Sequence, residues 1–358
     1  MVADTGKPNK LNGIIDCDVH PIPRSLEELH AYLPSRWHKH YFSFSRPFYN
    51  HPHHVLRLDA LPEKGGAPGS DPDFLREQLL HQFGIDYAIL LPIPNITMWP
   101  NPTMAADLAR AYNQWLADKW LDNNNSDGRF KGSITVAPQD PQAAVREIEH
   151  WANHPHMVQV LTDSGSGMNY GHKQFHPIYE TCEHYGLPFA IHPTSEGLGI
   201  NSPASPGYPT TYFEWSASLT FSIQAHLVSF ISEGVFERFP GLKVALVEGG
   251  SSWLAPLLWR LDEGWRGLRN EVPWVKKLPS EYVRENVRVT SQPLHSPENK
   301  EHLLQIFEMM NAREVMMYAS DYPHWDFDSP IRTFPKMDGD LKNRIFYENA
   351  KDFYQKLP

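Results

Sequence analysis

Cysteine is scarce in this chain. Cys17 and Cys182 are the only two in 358 residues. A disulfide framework in a secreted protein needs more, so reduced thiols in the cytoplasm are expected. Basic charge is also short, with 32 Lys and Arg against 42 Asp and Glu and a formal net charge of −10. No basic patch stands out, which argues against nucleic acid as a partner and for a soluble acidic protein. No stretch approaches the ~18 consecutive apolar residues of a membrane span, so no membrane role is expected. Residues 1–12 are polar and lack the apolar region of a secretory signal. Repeats and low-complexity tracts are absent as well.

What is present fits a large enzyme. Apolar residues make up 41% and charged residues 21%, ample for a core and too ordinary for disorder. Length alone allows two domains, but an α/β barrel also fits as one, and residues 1–358 are read that way. Pro (32), Trp (11) and His (19) are frequent. Much of the Pro and His falls in 21–70 and 193–209, which read as irregular. The segment 21–70 is an insertion after the first strand, expected to form a pocket wall or an interface.

Strand-like and helix-like segments alternate along the rest. Strands are predicted over 13–18, 87–91, 131–136, 157–161, 188–192, 242–248, 287–290 and 315–321. Helices are predicted over 73–83, 105–121, 143–153, 176–185, 213–239, 253–269, 301–310 and 342–354. Asp140 and Pro141 give a helix start signal. Such alternation argues for a parallel sheet buried on both faces. Eight strands close into a (β/α)8 TIM barrel, although alternation also allows a doubly wound sheet. In a barrel the first and last strands are neighbours, and their C-terminal ends share one pocket.

The polar ends of these strands carry the chemistry. Asp18 and His20 end the first, His192 the fifth, Glu248 the sixth and Asp321 the eighth. Asp18 and His20 are two apart, so they face the same way on an extended chain. Cys17, between them, faces the other way. Singly, a strand-end His is more often structural, and an Asp there is often a helix cap. Jointly, two imidazoles and two carboxylates suit one divalent ion, and no thiolate is implicated. Zinc is the first choice, with manganese or iron(II) as alternatives. Trp99, Tyr170, Tyr212, Trp215 and Trp325 lie on predicted loops or past strand ends, as do Phe213 and Phe327. They are candidates to wall a pocket for a cyclic or aromatic small molecule. His295, after the seventh strand, is a further substrate-side candidate.

Several runs carry a family resemblance over nearly the whole chain. They are Ile15-Asp16-Cys17-Asp18-Val19-His20, Arg129-Phe130-Lys131-Gly132, Gly186-Leu187-Pro188 and Ile191-His192-Pro193. They continue with Gly234-Val235-Phe236-Glu237-Arg238-Phe239-Pro240, Glu248-Gly249-Gly250, Trp259-Arg260-Leu261-Asp262 and Ser320-Asp321-Tyr322-Pro323-His324. The chain resembles the amidohydrolase-related enzymes that include aminocarboxymuconate-semialdehyde decarboxylase and the resorcylate-type decarboxylases. The resemblance implies a distorted barrel holding one divalent ion on Asp18, His20, His192 and Asp321, and a homodimer. Two positions depart from the family pattern. The first strand has Asp-x-His where members carry His-x-His or Glu-x-His. The sixth has Glu248 where many carry histidine.

Two reactions fit. In hydrolysis, a divalent ion lowers the pKa of bound water to about 7, and that water attacks a cyclic or aromatic ester, lactone or amide. Glu248 would move the proton, with Asp321 and His324 completing the catalytic set, His324 by holding the Asp321 loop in preference to donating a proton. In decarboxylation, the ion would chelate an aromatic or muconate-type acid while a nearby acid protonates carbon. A cationic clamp would favour the second. Only Arg24 and Arg288 are candidates for it, so hydrolysis is the leading expectation. A non-catalytic binding barrel is a remote third.

Overall fold

The structure is a computed structural model that describes residues 11–39 and 55–358. Eight strands form one sheet: β1 Ile15–Val19, β2 Tyr87–Leu90, β3 Phe130–Thr135, β4 Met157–Asp163, β5 Phe189–His192, β6 Val244–Leu246, β7 Val287–Thr290 and β8 Met316–Met317. They pair in sequence order, each parallel to the next. The circle closes between β8 and β1. The Cys17 amide donates to the Tyr318 carbonyl at 3.0 Å, the His20 amide to Tyr322 at 2.8 Å, and the Asp321 amide to Asp18 at 3.1 Å. The expected (β/α)8 barrel is the fold, and the doubly wound alternative is excluded.

The strands are short and mostly buried because parallel barrel strands are covered on both faces. Every residue of β1, β3, β4 and β5 is buried. Helices between the strands supply the outer layer. The helix Pro141–Trp151 starts as expected, with Pro141 in its first turn and the Asp140 carboxylate accepting from the Ala143 amide at 3.0 Å. His176–Tyr185 stops at Gly186, whose φ of 63° suits glycine. Phe353, Tyr354 and Leu357 pack in one cluster with strand residues Ile15, Cys17, Ala190 and Ala245. No helix among the described residues is long and apolar enough to cross a membrane.

Two strands are less than half their expected length. β6 spans three residues and β8 only two. The Tyr318 amide leaves the ladder to donate to Ile345 at 2.8 Å. Glu248 and Asp321 then take left-handed backbone angles, with φ of 49° and 62°. Both side chains therefore sit on turns just past the strands rather than on the strands themselves. Non-glycine residues held there are uncommon and mark a locally over-determined backbone.

The insertion after β1 folds back over the same end of the barrel. The Arg57 amide donates to Pro323 at 2.8 Å and the Trp325 amide to Val55 at 3.0 Å. The expectation for 21–70 as a whole includes residues 40–54, which lie outside the described residues. Arg24 is no clamp for a substrate: its guanidinium donates to the Lys64 and Gly65 carbonyls at 2.6 and 3.0 Å, holding the insertion together.

Closure also uses a side chain. Asp16 is fully buried, and its Oδ1 accepts from the Ser320 amide at 2.9 Å and the Asp18 amide at 3.3 Å. Asp16→Ala strips two buried amides of their partner. Urea unfolding is expected to give a loss of about 1–3 kcal/mol; an unchanged midpoint would remove Asp16 from the seam.

Candidate active site

Closure brings residues some 300 positions apart into contact at the C-terminal ends of the strands. His20 is the centre of the arrangement. Its Nδ1 lies 2.9 Å from the Leu91 carbonyl oxygen. A carbonyl only accepts, so Nδ1 carries the proton and a neutral ring would leave Nε2 as a lone pair. Yet Nε2 faces two carboxylates, Asp321 Oδ1 at 2.9 Å and Asp18 Oδ1 at 3.2 Å. A proton or a cation is needed at that meeting: the imidazole is protonated, one of the carboxyls is, or a cation stands among the three groups.

The neighbouring atoms repeat the signature. Glu248 Oε2 lies 2.7 Å from His192 Nε2, and His192 Nε2 lies 3.7 Å from Asp18 Oδ1. Despite this crowding, both Asp18 oxygens, both His192 nitrogens and Glu248 Oε2 lack a hydrogen-bond partner among the described residues. Buried polar atoms are nearly always paired. One ligand atom each from Asp18, His20, His192 and Glu248 lies within 4.8 Å of the others, and the same holds for His20, Glu248, Asp321 and His324. Mixed imidazole and carboxylate donors suit zinc, manganese or iron(II). The residues present thus fit a divalent ion.

The four ligands expected from sequence fall into two overlapping groups, and Glu248 belongs to both. The reason is how Asp321 is held. Its Oδ1 lies 2.9 Å from His20 Nε2 and is also in contact with His324 Nδ1, while its Oδ2 accepts from Gln292 Nε2 at 3.1 Å. His324 therefore positions Asp321.

Electrostatics separates the carboxyls. Burial, reinforced by the charges of Asp321 and Asp18, pushes Glu248 well above the usual carboxylate range. Burial likewise raises Asp18, against the opposing pull of His20. Asp321 goes the other way: burial would raise it, but the His324 and His20 rings outweigh that and hold it well below its ordinary value. Burial would lower His20, but the Asp18 and Asp321 carboxylates outweigh it and raise its pKa. Burial and the His20 ring keep His192 neutral.

A cavity of about 230 Å³ opens over these groups. Val55, Ile93, Leu198 and Leu219 form its apolar wall, with Tyr212, Trp215 and Trp325 as its aromatic side and His192, Glu248, Asp321 and His324 at the donor cluster. Tyr212 and Trp215 lie 5.4 Å apart between ring centroids, and the Trp325 indole donates to the Tyr212 hydroxyl at 3.2 Å.

Four expected wall residues lie elsewhere, as does His295. Tyr170 is fully buried; its hydroxyl donates to the Asp163 carbonyl at 2.7 Å and its ring packs on His226 at 4.4 Å. Trp99 is buried in the main core cluster. His295 stands beside Gly250 and Ser252, outside the lining. Phe213 is exposed on the helix Tyr212–Ser218, and Phe327 packs against Phe83. Arg288 is turned to the Arg284 and Val287 carbonyls, at 3.0 and 2.9 Å. Loop position alone does not distinguish a ring facing the cavity from one facing the core.

Sequence reasoning missed Gln292, Glu196 and Asp326. The last two line the cavity. Asp326 follows Asp321 by five residues and Glu196 follows His192 by four, so nearness to a strand-end ligand was a usable signal.

The amidohydrolase family matches residues 15–356. The chain belongs to that family. Among its relatives is a gamma-resorcylate decarboxylase of Polaromonas sp., 25% identical over 304 residues, covering 78% of this chain and 86% of the relative. Another is a 2-amino-3-carboxymuconate-6-semialdehyde decarboxylase of Dictyostelium discoideum, 26% identical and covering 71% of this chain and 67% of that one. The crystal structure of a dihydroxybenzoic acid decarboxylase from Polaromonas sp., with bound manganese and the inhibitor 2-nitroresorcinol, superposes with a TM-score of 0.67. It covers 96% of this chain and 97% of its own at 19% identity, and shares the barrel fold.

Orphaned donors around one point make a testable ledger. Manganese or zinc in excess is expected to raise the thermal midpoint, because an ion held only by the folded chain stabilises it by about 2.7 kcal/mol at a hundred times its Kd. A midpoint indifferent to both ions, after chelator treatment, would contradict the fit.

Proposed function

We propose that this amidohydrolase-family barrel is a metal-dependent, non-oxidative decarboxylase of a small aromatic or muconate-type acid. The leading expectation from sequence was hydrolysis; the relatives favour its alternative. The observation that carries the reading is a buried imidazole–carboxylate cluster opening into an aromatic-walled cavity, in a chain whose named relatives are decarboxylases. Asp18, His20, His192 and Asp321 would hold the ion. Manganese is the preferred candidate, with zinc and iron(II) as alternatives.

When bound, a divalent cation supplies the positive charge that anchors a carboxylate, a charge that no Lys or Arg among the described lining residues provides. The chain's own groups do the rest. Tyr212, Trp215 and Trp325 offer faces on which a planar ring can lie. Glu248 lines the cavity next to the donor cluster and serves as the acid. Its proton goes to the carbon that bears the carboxylate. The bond to the carboxylate then breaks, its electron pair restores the ring, and CO2 leaves. Glu248 regains a proton from solvent. His324 keeps Asp321 oriented throughout.

The manganese-loaded protein, given hydroxybenzoates and carboxymuconate-type acids, is expected to release CO2. Turnover of lactones, esters or amides with no CO2 from any acid would return the assignment to hydrolysis. Two kinds of variant separate the roles. His192→Ala and Asp321→Asn are expected to lose the ion and turnover together, read by elemental analysis. Glu248→Gln should retain the ion yet lose about 10²–10⁴ in kcat, because an amide cannot give up the proton. Full metal content in the first two, or normal kcat in the third, would refute that division of labour.

A further inference from the structure

Glu196 is a carboxylate with no task in the scheme above. It sits on the loop after β5 and lines the cavity, yet only 4% of the residue is exposed. Its backbone is tightly held. Ser195 has a φ of 70° and donates its hydroxyl to Asp163 Oδ2 at 2.6 Å. Across from it, Gly165 lies so close that a Cβ there would stand 2.6 Å from the Glu196 nitrogen. The side chain is held just as firmly at one oxygen. Oε1 accepts from the Ser164 hydroxyl and from the Ser222 hydroxyl, the latter at 2.7 Å. Oε2 is buried and has no partner among the described residues.

That asymmetry points to a ligand group. Leaving a buried carboxylate oxygen unpaired costs about 1–3 kcal/mol or more, and two serines are already spent on its twin. Glu196 is four residues beyond His192 and belongs to neither of the two donor groups. We propose that Glu196 Oε2 is a specificity-determining acceptor for a hydroxyl group carried by the substrate, away from the carboxylate that faces the donor cluster. Burial raises Glu196 to about 7, with the Ser164 and Ser222 hydroxyls pulling the other way and Asp163 adding to the rise. Above that pH it is charged and can only accept. A hydroxyl satisfies it, and a methoxy group, which has no hydrogen to give, leaves it buried and unpaired. Sites that hydrogen-bond a substrate hydroxyl reject analogues lacking it more strongly than apolar pockets reject a change of size. The substrate class narrows from an aromatic or muconate-type acid to one bearing a free hydroxyl.

The inference rests on the decarboxylase reading for the orientation of the acid, and binding is measured apart from CO2 release. Calorimetric titration of the manganese-loaded protein at pH 8.5 would compare benzoates carrying hydroxyl, methoxy or hydrogen at the meta or para position. The best hydroxybenzoate is expected to bind at least about tenfold more tightly than its methoxy and unsubstituted counterparts. Glu196→Gln turns Oε2 into an amide donor while Oε1 keeps its serines, so hydroxyl and methoxy should then bind within about threefold of each other. Selective binding of the phenol without CO2 release would sink the decarboxylase reading and leave this one standing. Equal binding of phenol and ether by the unaltered protein would overturn the Glu196 assignment whatever CO2 does, as would failure of every hydroxybenzoate to bind at millimolar concentration. That comparison needs no variant, so a Glu196→Gln protein that misfolds does not rescue the idea.

Discussion

The hydrogen bond from the Asp321 amide to the Asp18 carbonyl is the constraint on which the site depends. It belongs to the seam where the eighth strand meets the first. Without that seam Asp321 and His324 have no reason to stand near His20. With it, the turn after β8 is clamped on both sides, by β1 and by the returning insertion at Val55 and Arg57. Backbone pairing of the barrel and assembly of the donor cluster are thus the same event.

Assembly gathers like charges. Asp18, Glu248 and Asp321 meet in a space nearly closed to water, and desolvation penalises each ionised carboxyl there. Two imidazoles offset part of that cost. The remainder appears as unpaired oxygens and nitrogens crowded about one point. A fold that keeps such a cluster forgoes stability unless a cation shares the space. Tension between carboxylates is therefore the physical basis of the proposed metal site, and the aromatic wall above it supplies shape without adding positive charge.

Much of this was legible in the order of residues. Buried parallel strands must be apolar runs, so a polar residue at the end of such a run stands out, as Asp18, His192, Glu248 and Asp321 do. Barrel topology then says which ends face a common pocket. The aromatic residues were less legible. Tyr212, Trp215 and Trp325 reach the cavity, whereas Trp99 and Tyr170 pack inward. Nothing periodic separates the two sets, because loops have no fixed facing. Gln292 escaped notice for the same reason, although it donates to the Asp321 oxygen that His20 and His324 leave free.

By itself the sequence determined the alternation of strands and helices and the chemical types at the strand ends, and it left a doubly wound sheet open beside the barrel. Hydrophobic patterning acts over a few residues, and a few residues suffice to read it. Tertiary structure alone decided how Glu248 and Asp321 turn away from their ladders, which oxygens are claimed by neighbours, and which are left over. Those outcomes depend on contacts between segments some 300 positions apart. A hydrogen bond claimed or left open is set by angles and distances of a few tenths of an ångström, which local pattern does not encode.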